Sequence, residues 1–328
     1  MNKDRILFLD TARSLAMLWI VCYWHVKDYV EVSETREALS LFGDFYITDV
    51  MLGLFMFLSG FFMAKYTFTH ERDIANFYKK RLTRFYLLYA LSAILLFIIG
   101  FNRGFGLLIT TLTVSSTYIL PQPQTLWFLS MLASFYILTP LLLKDDFKVL
   151  IVRSLLIFSG GVILHLLLPK GIDTRFFWCF PLYCIGIYFG KKRSLMDLIT
   201  TKTIGISSTM ILIVLLILLQ NYYQNNLLLH YLVLPFGIIS ILNISKFITK
   251  LPIEKVIEII AYSSMCAYIF HRVFYSVLKK VIYGIIGYDF SYPFCFMVFI
   301  PVCLIGSYLI QMSYDRYVLP KLNNLIDR

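Results

Sequence analysis

Ten stretches of this chain are apolar enough, some only marginally, to cross a lipid bilayer: approximately 12–30, 41–64, 85–101, 125–143, 149–168, 176–190, 203–220, 227–244, 257–277 and 293–312. Spanning takes about 20 mostly apolar residues, because the hydrocarbon core is roughly 30 Å thick and a helix rises about 1.5 Å per residue. The expected fold is therefore all-α: a polytopic integral membrane protein with about ten transmembrane helices, forming one domain over residues 1–328. Composition agrees, with 59% hydrophobic and only 15% charged residues, where soluble domains carry roughly 25% charged. An ordinary soluble enzyme, a disulfide-stapled secreted domain and a disordered chain are all excluded. Cys22, Cys179, Cys184, Cys266, Cys295 and Cys303 all fall in apolar stretches and form no CxxC. Neither a disulfide framework nor a metal site is expected. Residues 102–124 are partly apolar but broken by Gly and Pro, and read as an outer loop or a re-entrant segment. No small-residue cleavage site accompanies the first span, which is expected to stay as an anchor.

The net charge of +11 would suit nucleic acid, but the positions of the charges argue for a membrane instead. With residue 1 in the cytoplasm, 22 of the 30 Lys and Arg fall at inner ends and loops, leaving 8 outside. That is the positive-inside bias. An even span count then puts both termini in the cytoplasm, and no nucleic-acid partner is implied.

Ionisable groups within a span are costly and mark function by default. The first span runs from Asp10 and Arg13 through an apolar stretch to Trp24 and His25. His25 lies about 18 Å along the helix from Arg13, past the bilayer midplane. A snorkelling Arg and an interfacial His are the bland reading of that pair. His165, His230 and His271 also map to outer halves or ends of spans, and Arg272 follows His271 directly. On the inner side, Arg81 and Arg84 share a helix face. Paired guanidiniums suit a phosphate-rich ligand, although a polybasic run also suits anionic lipid headgroups.

Four blocks in order resemble the acyltransferase-3 family of membrane acyltransferases. They are Asp10-x-x-Arg13 with a single His at the far end of span one; Phe57-Leu58-Ser59-Gly60-Phe61-Phe62 followed by Lys80-Arg81-Leu82-Thr83-Arg84; Leu126-Trp127-Phe128-Leu129 with Tyr136 and Pro140 behind it; and Tyr268-Ile269-Phe270-His271. The resemblance implies ten or so spans, an acyl-CoA donor (acetyl-CoA is the family's commonest) and O-acylation of an acceptor beyond the membrane, with no metal. One feature departs from the family. It commonly has ten residues between the Arg and the His, and here Ser14 to Trp24 makes eleven. On an ideal helix ten intervening residues leave the pair within about 20° of one face, and eleven turn them about 120° apart. A π-bulge would absorb the extra residue.

Acylating a sugar hydroxyl needs a base. His25 is the candidate, as base or transient acyl carrier, with Arg13 on the same helix. Arg81 and Arg84 are the candidates for donor phosphates, and Trp127 for stacking on donor or acceptor, or for anchoring at the interface. The thioester is expected to reach His25 through an internal channel while the acceptor enters from outside. Asp44 and Asp49 near the outer start of span two, Ser59 beside Gly60, and His271 are candidates for the acceptor side. The expected acceptor is a cell-surface glycan or lipid-linked sugar, and the expected location is the plasma or inner membrane, with the lipid bilayer as partner. The competing reading is an exporter of a glycan or lipid-linked sugar. It predicts the same topology, but such proteins often carry repeated halves, and no repeat relates 1–164 to 165–328.

Overall fold

The computed structural model describes residues 7–30, 41–119, 122–143, 147–168, 172–221, 226–286 and 292–326. Both termini lie outside the described residues, as do Lys3, Arg5, Arg36, Lys144, Lys170 and Arg328 from the charge count. Among the described residues every regular element is helical. The order is α1 (Leu7–Leu18), continuing as a π-helical segment (Trp19–Trp24) and a 3₁₀ turn (Val26–Tyr29); α2 (Asp44–Met63); α3 (Glu71–Ile99); α4 (Phe105–Leu112); α5 (Trp127–Leu143); α6 (Phe147–Leu167); α7 (Phe176–Lys191); α8 (Arg193–Ile199); α9 (Lys202–Asn221); α10 (Leu227–Ile248); α11 (Glu254–Ile286); α12 (Tyr292–Phe294); α13 (Ile300–Ser313); and α14 (Leu319–Ile326).

Among the described residues eight helical stretches are long and apolar enough to cross a membrane: Leu7–Tyr29, Asp44–Met63, Glu71–Ile99, Lys148–Leu167, Lys202–Asn221, Leu228–Ile248, Glu254–Ile285 and Cys295–Leu322. The other two expected spans coincide with α5 and α7, which are apolar but only 17 and 16 residues long. These are at or just under the shortest length that spans a bilayer. The outward faces show what solvent the fold is built for. On α6, Leu155, Leu156 and Leu166 are 60%, 66% and 76% exposed. A helix apolar all round with so much of it uncovered is stable only in lipid. The protein is an all-α multi-pass membrane protein.

The chain divides into two compact units, Met1–Leu58 with Lys192–Tyr308, and Ser59–Lys191 with Leu309–Arg328. In the first, α9 packs along α10, and α1 packs against both α10 and α11. The α9–α10 contact is close because Gly205 has no side chain: a Cβ there would fall 2.4 Å from Asn243 Cγ. Asn243 in turn donates through Nδ2 to the Ile199 carbonyl at 2.9 Å, tying α8 to the pair.

In the second unit α6 packs on α7, and α3 packs on α4 and α5. A Cβ on Gly60 would sit 2.0 Å from the Tyr183 carbonyl oxygen, and one on Gly190 would sit 2.4 Å from the Phe61 carbonyl oxygen. The end of α2 and α7 therefore meet backbone to backbone, the small-residue contact by which membrane helices gain van der Waals energy. Helix α3 begins at Glu71, well before the apolar run at 85–101. Asp73 Oδ2 stops the chain there by accepting from the backbone N–H of Thr69 (3.1 Å) and of His70 (3.0 Å), so the basic run rides on a continuous helix. Gly100 closes α3 in the left-handed region at φ 79°, which a residue without Cβ adopts freely. Within 102–124, α4 is followed by a 3₁₀ turn, Ser115–Thr117. Tyr89, fully buried on α3, donates to the Thr111 carbonyl at 2.9 Å and meets Ser130 Oγ at 2.6 Å, while Ser116 donates to the same Ser130 at 2.8 Å. Residues 105–117 are packed structure, and this polar knot is what seats them.

Candidate active site

The first helix carries the extra residue between Arg13 and His25 as a π-bulge. Over Trp19–Trp24 the chain is π-helical, and the His25 amide bonds the Ile20 carbonyl five residues back at 2.9 Å. An i→i+5 turn takes up one residue more than an α-turn. The twelve steps from Arg13 to His25 then rotate like eleven, returning the pair to within about 20° of one face. Both side chains accordingly meet the same neighbour, α11. Arg13 Nη2 donates to the Ala261 carbonyl at 2.9 Å and pairs with Asp10 at 3.1 Å. His25 Nδ1 lies 2.8 Å from His271 Nε2.

The planes of the two imidazoles are nearly parallel, with centroids 4.7 Å apart and 8° between them. His271 is fully buried. Its Nδ1 lies 2.8 Å from the Tyr268 carbonyl and 3.2 Å from the Ala267 carbonyl, both on its own helix. His25 is half-buried. Among the described residues its side chain makes no hydrogen bond except the one to His271. Tyr275, also buried, donates to the Val21 carbonyl at 3.1 Å and fastens α11 to the π-segment itself.

Ion pairs surround the two histidines. Arg272, 5% exposed, reaches Asp28 Oδ2 at 2.7 Å. Tyr29 bonds Ser276 at 3.0 Å on the same helix. Lys27 and Asp44, both buried, pair at 2.5 Å, and Tyr23 adds a bond to the same carboxylate oxygen at 3.0 Å. His230 Nε2 sits 2.9 Å from Asp49 Oδ2, with Tyr46 edge-on to its ring. Buried charges persist when paired and hydrogen-bonded, as Lys27 and Asp44 are. Asp44 and Asp49 stand in the first two turns of α2, one holding the Lys27 ammonium and the other close to the His230 imidazole. Lys27, Asp28, Arg272 and Tyr275 escaped the sequence reading as site residues. Two signals pointed toward the first three: the charges two and three residues after His25, and the Arg directly after His271.

In the second unit, Arg81 is half-buried against two aromatic rings, Tyr66 at 5.3 Å and Tyr136 at 6.0 Å, and donates from Nη2 to the Tyr66 hydroxyl at 3.0 Å. Its Nε is buried with no hydrogen-bond partner among the described residues. Arg84, one turn on, is exposed. Trp127 opens α5 with the Arg175 guanidinium 3.5 Å from its ring centroid. That guanidinium is held by Asp173 at 2.9 Å and by Gln122. Thr125, two residues before Trp127, holds φ 69°, a region β-branched residues avoid and one often strained at functional sites. Ser59 is half-buried on α2 next to the Gly60 crossing. Among the described residues no three His, Cys, Asp or Glu side chains gather as a metal would need.

The sequence was compared with known proteins. No curated protein and no solved structure matches it. A family model does: the one for acyltransferase-3, described as an acyltransferase domain, matches residues 6–312. That stretch covers nearly all of the chain's 328 residues, from the start of α1 to the end of α13, and includes the histidine pair, the π-segment and the Arg81 cradle. On that coverage the chain belongs to the acyltransferase-3 family and is a membrane acyltransferase, a transferase of groups other than aminoacyl.

Proposed function

We propose that the enzyme moves an acyl group, acetyl in the simplest case, from cytosolic acyl-CoA to a hydroxyl of a glycan or lipid-linked sugar on the far side of the plasma or inner membrane. Family membership favours transfer over export. In this reading His25 is the general base. Its ring nitrogen facing away from His271 takes the hydroxyl proton as the oxygen attacks the thioester carbonyl. A C–O bond forms, the C–S bond breaks, and the proton passes from His25 to the departing thiolate, which leaves as the free CoA thiol. Arg81, helped by Arg84, holds donor phosphates in fork geometry. Arg13 keeps the first helix in register against α11; Asp44, Asp49 and Ser59 are the candidates for contacts to the acceptor, and Trp127 for stacking on the donor.

The observation that carries the reading is His25 itself. Among the described residues His25 is held on one nitrogen only, at the end of the π-helical segment, which leaves the other nitrogen for a proton. The Arg81 Nε, a buried donor without a partner among the described residues, supports an anionic ligand beside it. The deciding experiment is labelled acyl transfer from acyl-CoA to glycan or membrane acceptors by a His25→Ala variant checked for monodispersity. The expected loss is about 10²–10⁴ in rate with acyl-CoA binding kept. Full transfer by the folded variant removes His25 from the role.

A further inference from the structure

We infer that His271 is the positioning residue for His25: it fixes which nitrogen of His25 is the base, and it shares the positive charge that forms there. The inference rests on the reading of His25 as base.

The argument starts from the two carbonyls under His271. A carbonyl oxygen only accepts, so the His271 Nδ1 lying 2.8 Å from Tyr268 O and 3.2 Å from Ala267 O carries a proton. A neutral imidazole has one N–H, and His271 Nε2 therefore offers a lone pair. Across the 2.8 Å contact His25 Nδ1 must then be the donor. A neutral His25 with its proton on Nδ1 has its lone pair on Nε2. Three local constraints thus leave one tautomer for the pair, and it directs the basic nitrogen of His25 away from α11.

The same line of bonds accommodates the charged state. When His25 Nε2 accepts the hydroxyl proton, its Nδ1–H faces the His271 lone pair as a charge-assisted bond, shorter and stronger than before. The Nδ1 proton can cross to His271 Nε2. The positive charge then sits on a ring whose remaining N–H points at two backbone carbonyl dipoles. When the departing thiolate takes the proton from His25 Nε2, the proton on His271 Nε2 returns to His25 Nδ1, and both rings end as they began. A Ser-His-Asp triad gives the orienting task to a carboxylate. Here the neighbouring carboxylate of Asp28 is held by Arg272 at 2.7 Å, and among the described residues the only side chain bonded to His25 is an imidazole.

The test combines a spectroscopic and a kinetic readout. Protein labelled with ¹⁵N-histidine in lipid bilayers is studied by solid-state NMR, assigned through the sequential pairs Trp24–His25 and Phe270–His271. Protonated Nδ1 on both rings is expected in the wild type, with a correlation across the Nδ1···Nε2 contact. Kinetically, His271→Phe should lower kcat by about 10²-fold, with donor KM within about twofold because ground-state binding is untouched. His271→Gln should fall between the two, since its amide oxygen still accepts from His25 but cannot take the proton. A wild-type His25 protonated on Nε2, or a His271→Phe variant with wild-type kcat, overturns the inference. A His25→Ala variant with full kcat overturns the base reading as well. If His25→Ala is dead and His271→Phe is fully active, only the role of His271 falls.

Discussion

Arg13 and His25 grip the same neighbouring helix, one through the Ala261 carbonyl and the other through the His271 ring, although a regular α-helix would aim them about 120° apart. The π-turn between them is what reconciles the eleven-residue gap with a shared face. A π-turn is less well packed than an α-turn and persists where the surrounding structure holds it. Here Tyr275 bonds one of its carbonyls, Val21 O.

It follows that deleting Cys22 should convert the bulge to plain α-helix while leaving both grips in place, and acyl transfer should persist. Inserting an alanine after Cys22 instead rotates His25 by about 100° and should abolish transfer. Assaying both variants in membranes at matched expression decides the matter. A dead deletion variant with an active insertion variant would refute the account.

Arg81 and Arg84 should not weigh equally. Arg81→Ala removes a guanidinium enclosed by Tyr66 and Tyr136, and donor affinity should fall about 10–100-fold, the loss expected for charge-assisted phosphate contacts. Arg84 is exposed, where solvent and salt weaken its contribution, so Arg84→Ala should cost less. Lys at position 81 should rescue only in part, because it keeps the charge but loses the fork. Isothermal titration with acyl-CoA measures all three, and equal binding by both Ala variants and wild type would leave the basic run as a lipid anchor.

Gly60→Ala forces a methyl to within 2.0 Å of the Tyr183 carbonyl. Overpacking of this kind costs about 1–3 kcal/mol even where side chains can give way, and a backbone oxygen yields less. Thermal unfolding of the detergent-solubilised protein should show a clear drop in Tm, repeated by Gly190→Ala. Gly160, which a Cβ would leave free of neighbours within 4 Å, is the control and should tolerate Ala.

The charge asymmetry of 22 inner against 8 outer basic residues predicts residues 1 and 328 in the cytosol and residues 221–226 outside. Cysteine-accessibility labelling at those positions in intact cells measures this directly. An outward-facing terminus would invert the assignment of His25 to the acceptor side.

The spans were legible because a run of about 20 apolar residues is a property of the local sequence. The start of α3 was not: seven of residues 71–84 are charged, too many to read as part of a span, and what begins the helix there is the Asp73 cap. His25 stood out as a deep ionisable residue, and the need for a bulge followed from counting. Its pairing with His271, 246 residues away, could not be read from either segment alone, nor could the pairing of Asp28 with Arg272. Both histidines were visible as separate candidates, and nothing in one sequence reports which two helices touch. The packed segment after α3 was read as a loop or re-entrant piece, since Gly and Pro interrupt it and the Tyr89–Ser130–Ser116 knot joins residues from three separate stretches.

The ion pairs around the histidines have a bearing on how an acceptor arrives. Lys27 cancels Asp44 and Arg272 cancels Asp28, so this part of the protein presents little net field despite its many ionisable groups. Among the described residues these pairs leave neither sign in excess to draw in a polyanion from a distance. On the proposed reading, capture of a sugar is then left to short-range contact, and its rate should depend little on the ionic strength of the medium.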